Sequence, residues 1–276
     1  MTAKRALAWV AFWIGLALAF NVGIYFFMGK EKALEFLGGY IIEQSLSIDN
    51  LFLFIIVFSS FGIKSEYQRR VLNYGIAGAI ILRLVFVILG VTIVNMFHWI
   101  LYIFGLILII SGAKMMFKHE ENANFKESRI IKILGKIIPV TDHLEGEKFF
   151  VKKNNVLYAT PLLAILVIIE FTDIIFAIDS IPAIFSITTD PFIVYTSNIF
   201  AIMGLRSMYF VLGQLHEKFK YVKYGVALIL IFTGIKLSIL FFHIEIPVEA
   251  SLGIIFSILA LSIIASLAFS KKESTT

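Results

Sequence analysis

The sequence predicts an all-α polytopic membrane protein, on the basis of its composition and its long apolar segments. Hydrophobic residues make up 59% of the 276 positions and charged residues only 16%, and the mean hydropathy is +0.92. This composition is typical of membrane proteins. Runs long enough to cross roughly 30 Å of hydrocarbon as helices recur along the chain. We predict eight spans, at about 6–28, 34–60, 73–95, 99–117, 155–182, 192–214, 222–242 and 249–269.

The spans are expected to form a single transmembrane domain with two similar units. The first span follows Lys4 and Arg5 as a signal peptide would, but its apolar run is too long for one and no small-residue cleavage site follows it. We therefore predict a retained leading helix. The predicted segments are the leading helix 6–28, repeat 1 at 34–117, a cytoplasmic loop at 118–154, repeat 2 at 155–242 and the final helix 249–269.

The distribution of Lys and Arg predicts the orientation. If the N-terminus lies inside, nearly all Lys and Arg of the loops face the cytoplasm, and only Lys30 and Lys32 lie outside. Both termini are then cytoplasmic, and the expected location is a bacterial plasma (inner) membrane. The net charge of +5 is explained by this topology and by anionic headgroups, so it gives no support for a nucleic-acid partner.

The polar loop combines a basic amphipathic stretch with an acidic run. Isoleucines between Ile130 and Ile138 alternate with basic residues, so we expect this stretch to lie on the inner membrane face. The acidic run after Pro139 is either an ion-collecting cluster or a solvated turn. It contains Asp142, His143, Glu145 and Glu147.

Two acidic segments lie inside apolar runs, and they align with each other. Placing Asp49 on Asp179 brings the other landmarks of the two units into correspondence. The matched pairs are Glu43 with Asp173, Arg83 with Arg206, and Lys114 with Lys236. Each unit has three spans, so the second copy must enter the membrane in the opposite sense, which predicts an inverted repeat. The alternative is a duplication retained only for packing.

The predicted spans contain ionisable side chains that lipid does not tolerate unpaired. At about 3 kcal/mol each, nine such groups would cost on the order of 25 kcal/mol, so they must be paired, hydrated or bound to a ligand. Arginine keeps its proton, and we expect Arg83 and Arg206 to hold nearby carboxylates in the ionised form. Lys114 and Lys236 lie near span ends, where snorkelling is expected. A purely structural lattice of ion pairs is the alternative.

The spacing of the acids suggests an interrupted helix. Residues 43 and 49, like residues 173 and 179, are six positions apart, which is about 240° around a regular helix. Either the helices break between these acids or the acids serve different partners. Pro182 favours a break in the second copy, since it cannot donate to the carbonyl of Ile178, although a simple kink would also accommodate it.

The available ligands favour a hard divalent cation. The chain contains no cysteine, and all five histidines fall at span ends or in loops. Carboxylate, amide and hydroxyl oxygens suit Mg²⁺, Ca²⁺ or Mn²⁺ rather than Cu⁺ or zinc. The predicted metal ligands are Glu43, Asp49, Asn50, Glu170, Asp173 and Asp179. The hydroxyls of Ser45 and Ser47 are expected to line the site in the first copy.

Four segments make the sequence similar to a known family. They are EQSLSIDNLF, PVTDHLEGEKFFV, ATPLLAILVIIEFTDIIFAIDSIPAIFSIT and DPFIVYTSNIFAIMGLRSMYF. From about Tyr40 to Lys236 the chain resembles the TerC/Alx family of integral membrane proteins, named from tellurite resistance. The resemblance implies duplicated three-helix units and Mn²⁺ export. It matches Asp49, Asn50, Glu170, Asp173, Asp179 and Ser180 to the family's intramembrane polar positions.

We therefore expect a secondary exporter of a divalent cation, most specifically Mn²⁺, with protons as the expected counter-ion. Mn²⁺ would be the transported ion, and no permanently bound cofactor is expected. An oxyanion would sit badly among carboxylates, so tellurite resistance is interpreted as indirect. The alternative is a membrane-embedded partner of a stress complex, with a structural charged core. Enzymatic activity is not expected: an intramembrane aspartyl protease needs Gly-x-Gly-Asp, whereas isoleucine precedes both Asp49 and Asp179.

Overall fold

The computed structural model describes residues 3–117, 135, 138–141, 144, 146–153, 155–215 and 221–273. Within these ranges the chain forms eight long helices and one short β-hairpin. The first four helices are α1 Ala3–Met28, α2 Lys30–Ser60, α3 Ser65–Met96 and α4 Ile100–Phe117. The strands are β1 Phe150–Lys153 and β2 Val156–Ala159. The remaining helices are α5 Pro161–Phe185, α6 Pro191–Leu215, α7 Val222–Ile239, followed by a 3₁₀ turn at Leu240–Phe242, and α8 Val248–Glu273.

These helices confirm the prediction of an all-α polytopic membrane protein. Seven of the described helices are long and apolar enough to cross a membrane. The eighth, α6, carries the polar residues Ser197, Asn198 and Arg206. Because α6 packs against α1, α2 and α3, Ser197 and Asn198 are fully buried, and a less apolar sequence is tolerated.

The fifth predicted span begins later than expected. The span was predicted from residue 155, but residues 156–159 form β2, which pairs antiparallel with β1. Asn155 has a φ of 62° between the strands, a left-handed conformation that asparagine tolerates well. Pro161 is the first residue of α5, where its fixed φ suits a helix start and its missing N–H costs nothing.

Most of the polar loop lies outside the described residues. This includes the basic part of the amphipathic stretch, together with Asp142, His143 and Glu145. Glu147 is described, and its Oε2 lies 3.6 Å from Nη1 of Arg70 near the start of α3. Both side chains are more than a third exposed, so Glu147 takes part in a solvated surface ion pair.

The predicted break in the acidic helices is wrong. Helix α2 continues through residues 43–49, and α5 continues through residues 173–182. Pro182 lies three residues before the end of α5. Proline removes one backbone hydrogen bond there, but less than one turn of helix follows, so α5 tolerates the loss. The second alternative therefore holds for α5, where Asp173 and Asp179 face different neighbours.

The buried apolar residues form two clusters, and the polar side chains lie between them. Four helices, α2, α3, α5 and α6, contribute to both clusters. Along α2 the change of cluster falls between Leu46 and Leu51, and along α5 it falls between Ile169 and Ala177. The corresponding gap in α3 contains Arg83. Arg83, Glu170 and Asp173 thus occupy a middle layer of the bundle.

Helices α4 and α7 pack closely along small residues. A Cβ added to Gly234 would lie 2.6 Å from the carbonyl oxygen of Gly105, and one added to Gly112 would lie 2.6 Å from that of Ala227. Gly105 on α4 meets Gly234 on α7, whereas Gly112, further along α4, meets the earlier residue Ala227. The two helices are therefore antiparallel. Close backbone approach through small residues is a common basis of helix packing in membranes.

We predict that Gly234→Ala destabilises the protein, because the new methyl group meets backbone rather than a movable side chain. Overpacking of this kind costs about 1–3 kcal/mol. Thermal unfolding of the purified protein in detergent should show a lower midpoint. Gly253→Ala is the matched control, since a Cβ on Gly253 in α8 would meet no atom within 4 Å. Equal midpoints for the two variants would contradict the packing described.

Candidate functional site

The middle layer contains a buried ion pair between α2 and α3. Nη2 of Arg83 lies 2.8 Å from Oε1 of Glu43, and Nη1 donates to Oε2 at 2.9 Å. The side chains are 5% and 1% exposed respectively. Two parallel N–H···O contacts make this a bidentate pair, the strongest geometry available to arginine and a carboxylate.

The same guanidinium also binds two helices of the second unit. Nη1 of Arg83 donates to Oγ of Ser180 on α5 and, at 2.7 Å, to Oδ1 of Asn198 on α6. Asn198 donates its own amide to the carbonyl of Val194 at 2.7 Å, which turns Oδ1 towards Arg83. Oγ of Ser47 also donates to Oε1 of Glu43, at a long distance of 3.5 Å. We call Glu43, Ser47, Arg83, Ser180 and Asn198 the Arg83 cluster.

Asn198 is a member of this cluster that sequence reasoning missed. It is 0% exposed, and it lies in the apolar part of DPFIVYTSNIF. The alignment that places Arg83 on Arg206 places Gly75 on Asn198, so the repeat gave no indication of its role. A buried amide in a membrane helix was the available clue, since such groups need a partner.

Glu170 and Asp173 form a second acidic pair on α5, three residues apart and electrostatically coupled. Neither forms an ion pair with any residue that the structure describes. Oε2 of Glu170 is buried without a hydrogen-bond partner among the described residues. The charges of Arg83 and Glu43 also act on Asp173. This pair is therefore adjacent to the Arg83 cluster but is not neutralised by it.

Glycine in α3 makes room for the Glu170 carboxylate. A Cβ on Gly78 would lie 2.1 Å from Oε1 of Glu170, whereas a Cβ on Gly75 would meet only ordinary contacts at 3.5 Å. Gly78 was also missed from the sequence, although its position between Ala77 and Ala79 is typical of a close helix contact.

Asp173 faces a small cavity between α2, α3, α5 and α6. The cavity has a volume of about 10 Å³ and is also lined by Gly75, Ala79 and Arg206. This is close to the smallest space that holds one water molecule. The cavity is thus large enough for a single small species beside the carboxylate.

Asp179 lies apart from both groups, at the contact between α5 and α4. Oγ of Ser111 donates to Oδ1 of Asp179 at 2.8 Å. The charge of Lys114, one turn further along α4, also acts on Asp179, while the Lys114 side chain is exposed. The Lys114 side chain is therefore exposed, as snorkelling predicts, and its charge still acts on the carboxylate of Asp179.

Arg206 and Lys236 differ from their predicted roles. Arg206 donates to Oδ1 of Asn73 on α3 at 2.6 Å and forms no ion pair with a described carboxylate, because it points towards a groove beside α1 and α3. Lys236 does not snorkel: it is 6% exposed, and Nζ donates to Oγ of Ser251 on α8 at 2.7 Å. Helix α8 covers the position that would otherwise reach solvent or headgroups.

The remaining predicted residues lie on α2. Ser45 donates to the carbonyl of Ile41 at 2.7 Å, so its proton is committed to the backbone. Asn50 is 5% exposed and lies in the middle layer. Asp49 is helical, but its side chain lies outside the described part of the structure.

The predicted ligands are divided among three groups rather than assembled in one centre. Among the described residues, no three His, Cys, Asp or Glu side chains converge as they would around a metal ion. Glu43 is paired with Arg83, Asp179 lies against α4, and Glu170 with Asp173 remains without a cationic partner. The arrangement offers one carboxylate pair that can take up a cation or protons.

Comparison with known proteins identifies the family. The model of the integral membrane protein TerC family matches residues 28–274. The chain belongs to the TerC family. It is 46% identical over 272 residues to the "Putative membrane-bound redox modulator Alx" of Escherichia coli (strain K12), covering 96% of this chain and 84% of that protein.

Two further relatives of the TerC-family chain come from other bacteria. It is 46% identical over 273 residues to the "Uncharacterized membrane protein STKORF319" of Myxococcus xanthus, covering 99% and 85% of the two chains. It is 44% identical over 266 residues to an "Uncharacterized membrane protein" of Rickettsia bellii, covering 96% and 88%. No solved structure matches the chain.

We predict that Glu43→Gln and Arg83→Gln each destabilise the protein by about 3–5 kcal/mol, because either change leaves one buried charge without its partner. The double variant should be more stable than the sum of the two losses predicts. Reversible unfolding in detergent of the wild type, both single variants and the double variant gives this coupling directly. Simple additivity would show that Glu43 and Arg83 do not depend on each other.

Proposed function

We propose that this TerC-family protein is a secondary transporter that exports a divalent metal cation, and that the physiological ion is Mn²⁺. The observation that carries the proposal is the Glu170–Asp173 pair, which lies in the middle layer without an ion-pair partner among the described residues. A carboxylate in that environment must bind a cation or a proton.

The charge balance of the middle layer supports exchange of a divalent ion for protons. The bidentate contact with Arg83 cancels the charge of Glu43, so among the side chains described between the two apolar clusters the remaining negative charge comes from Glu170 and Asp173. Two carboxylates can hold either two protons or one divalent cation with the same net charge. Transport by proton antiport would then move the binding groups through the apolar bundle in a neutral state in both directions.

Oxygen chemistry supports a hard ion as the cargo. We propose Glu170 and Asp173 as its first ligands, with Asp49, Asn50 and Asp179 joining when the helices approach. Mn²⁺ accepts carboxylate and amide oxygens readily. The chain would hold this ion only as cargo, with no resident cofactor, and would carry out no covalent chemistry.

Helix packing supports an alternating-access mechanism based on two related units. When LILIISGAK is aligned with LILIFTGIK, Gly112 matches Gly234, and Gly105, just before the first segment, matches Ala227. The contacts of Gly234 with Gly105 and of Gly112 with Ala227 are therefore exchanged with each other. This is the behaviour expected of an inverted repeat, in which rocking of one unit against the other exposes a midplane site to alternate sides.

The distribution of basic residues supports the proposed orientation. Lys and Arg of the loops face the cytoplasm if both termini are cytoplasmic. We therefore propose a multi-pass protein of the bacterial plasma membrane that moves its cation away from the cytoplasm.

A second candidate function is a membrane-embedded partner of an assembly or stress complex. The Arg83 cluster favours it, because its donors and acceptors satisfy one another and hold four helices together without any ligand. On this proposal the acids stabilise the fold, and any effect on tellurium resistance is indirect. The chain contains no cysteine, so a redox role by thiol exchange would require another protein.

Metal flux in proteoliposomes separates the two candidates. Vesicles containing the purified protein should take up Mn²⁺ faster when a pH gradient is imposed, and Mg²⁺, Ca²⁺ and Zn²⁺ are compared in parallel. We predict that Glu170→Gln and Asp173→Asn each reduce Mn²⁺ flux at least about tenfold, the equivalent of losing one good ligand interaction. Folding is checked by the unfolding midpoint.

Glu249→Gln is the matched acidic control, since the Glu249 side chain is 61% exposed and only loosely paired with Lys30. It should retain wild-type flux. Unchanged flux in well-folded Glu170→Gln and Asp173→Asn proteins would refute transport through this pair. Absence of flux in the wild type, together with loss of a partner protein from the variants, would favour the assembly role.

We predict that Gly78→Ala also lowers Mn²⁺ flux, because its Cβ would displace the Glu170 carboxylate from the space beside α3. Gly253→Ala on α8 makes the same glycine-to-alanine change, and its Cβ would meet no atom within 4 Å. The two variants should therefore have similar helix content but different flux. Equal flux in both would show that the position of Glu170 against α3 is not needed for transport.

A further inference from the structure

A groove of about 610 Å³ opens between α1, α3 and α6, away from the Arg83 cluster. Each helix contributes polar or aromatic residues at helical spacing, so that one face of each helix lines the groove. We call it the arginine groove. Its lining is Arg5, Trp9 and Trp13 from α1, Arg69, Asn73, Ile76 and Ile80 from α3, and Met203, Arg206 and Ser207 from α6.

The groove is strongly basic and has no acidic lining residue. Within the described part of the chain, Arg5, Arg69 and Arg206 form no ion pair. The like charges of Arg69 and Arg206 act on each other. Arg206 donates a hydrogen bond to Asn73. This contact orients the guanidinium of Arg206, but the neutral amide of Asn73 does not compensate its positive charge. Three arginines that share one cavity in this way are an incomplete site, because an anion between them would relieve their repulsion.

The contrast with Arg83 strengthens this argument. Arg83 occupies the matching position of the first unit, and it is neutralised by Glu43 on the same layer. The residue that matches Glu43 is Asp173, yet Asp173 and Arg206 share only the edge of a small cavity and form no ion pair. The second unit therefore keeps the positive charge at this position, as Arg206, but the described residues supply no carboxylate to neutralise it. Arg206 faces the groove instead.

The position of the groove identifies its surroundings. Arg5 and Arg69 lie close to the first residues of α1 and α3, while Arg206 lies nine residues before the end of α6. All three are thus near one end of the bundle, with Arg206 deepest. The walls include Trp9, which is 44% exposed, and tryptophan is enriched where hydrocarbon meets headgroups.

We propose that the arginine groove binds a phosphate group, and that its source is the headgroup of an anionic membrane lipid. Guanidinium forks from Arg69 and Arg206 match phosphate oxygens, and Arg5 would close the site at the membrane surface. Trp9, Trp13 and the isoleucines of α3 would lie along the acyl chains. The site meets the small cavity beside Asp173 only at Arg206, and it does not depend on the proposed transport.

Thermal unfolding of the purified full-length protein tests this site. The midpoint is followed as short-chain phosphatidylglycerol is added, with phosphatidylcholine as the neutral-headgroup comparison and inorganic phosphate as the free-ion comparison. The wild type should show saturable stabilisation by phosphatidylglycerol and little by phosphatidylcholine. In Arg69→Gln/Arg206→Gln the apparent affinity for phosphatidylglycerol should fall at least about tenfold, as expected for two headgroup contacts.

Arg70→Gln is the control for loss of a basic side chain next to Arg69. It removes one positive charge, where the double variant removes two, and Arg70 faces Glu147 and the ring of Phe149 instead of the groove. This variant should bind phosphatidylglycerol as the wild type does. An equal loss in Arg70→Gln, or no loss in the double variant, would overturn the proposal. Stabilisation by inorganic phosphate equal to that by the lipid would support a phosphate site but overturn the lipid as its source.

A variant at the rim covers the case in which the double variant does not fold. Arg5 is exposed near the beginning of α1, so Arg5→Gln removes a proposed phosphate contact without disturbing buried packing. Native mass spectrometry should find fewer copies of anionic lipid retained by Arg5→Gln than by the wild type. Equal retention by the two proteins would count against the groove as the binding site.

Discussion

The guanidinium of Arg83 is the group on which the arrangement of the bundle depends. It keeps its proton in any protein environment, and it lies between two apolar clusters where water cannot solvate it. It must therefore find acceptors, and they come from three other helices: Glu43 on α2, Ser180 on α5 and Asn198 on α6. The two halves of the chain are joined at mid-depth because this one charge requires partners from both.

Neutralising Arg83 also determines which acids remain available. Glu43 is fully engaged, so among the side chains that the structure describes at this depth the carboxylates without a cationic partner are those of Glu170 and Asp173. The second unit does not repeat the solution of the first, because Arg206 turns outward to Asn73 instead of inward to Asp173. Two units with matching charges thus place them differently: Arg83 is neutralised inside the bundle by Glu43, and Arg206 faces the arginine groove.

The sequence predicts the helices well because each span is a long apolar run, and it predicts the charged layer because those charges interrupt such runs. It does not predict which charges meet. The i,i+6 spacing of the acids suggested a break, but both helices stay continuous, and on α5 the two acids face different neighbours. Asn198 and Gly78 were missed because their roles depend on a neighbouring helix, which spacing along one segment does not reveal. The hairpin before Pro161 was merged with the apolar run that follows it.

The central claim is that the middle layer of the bundle holds one divalent cation on Glu170 and Asp173, while Arg83 and Glu43 hold the helices together. Electron paramagnetic resonance of free Mn²⁺ during titration of the purified protein measures this directly. We predict one saturable Mn²⁺ site per wild-type chain, lost in Glu170→Gln/Asp173→Asn and kept in Glu249→Gln. Binding that survives in the folded double variant, or no saturable binding in the wild type, would contradict the account.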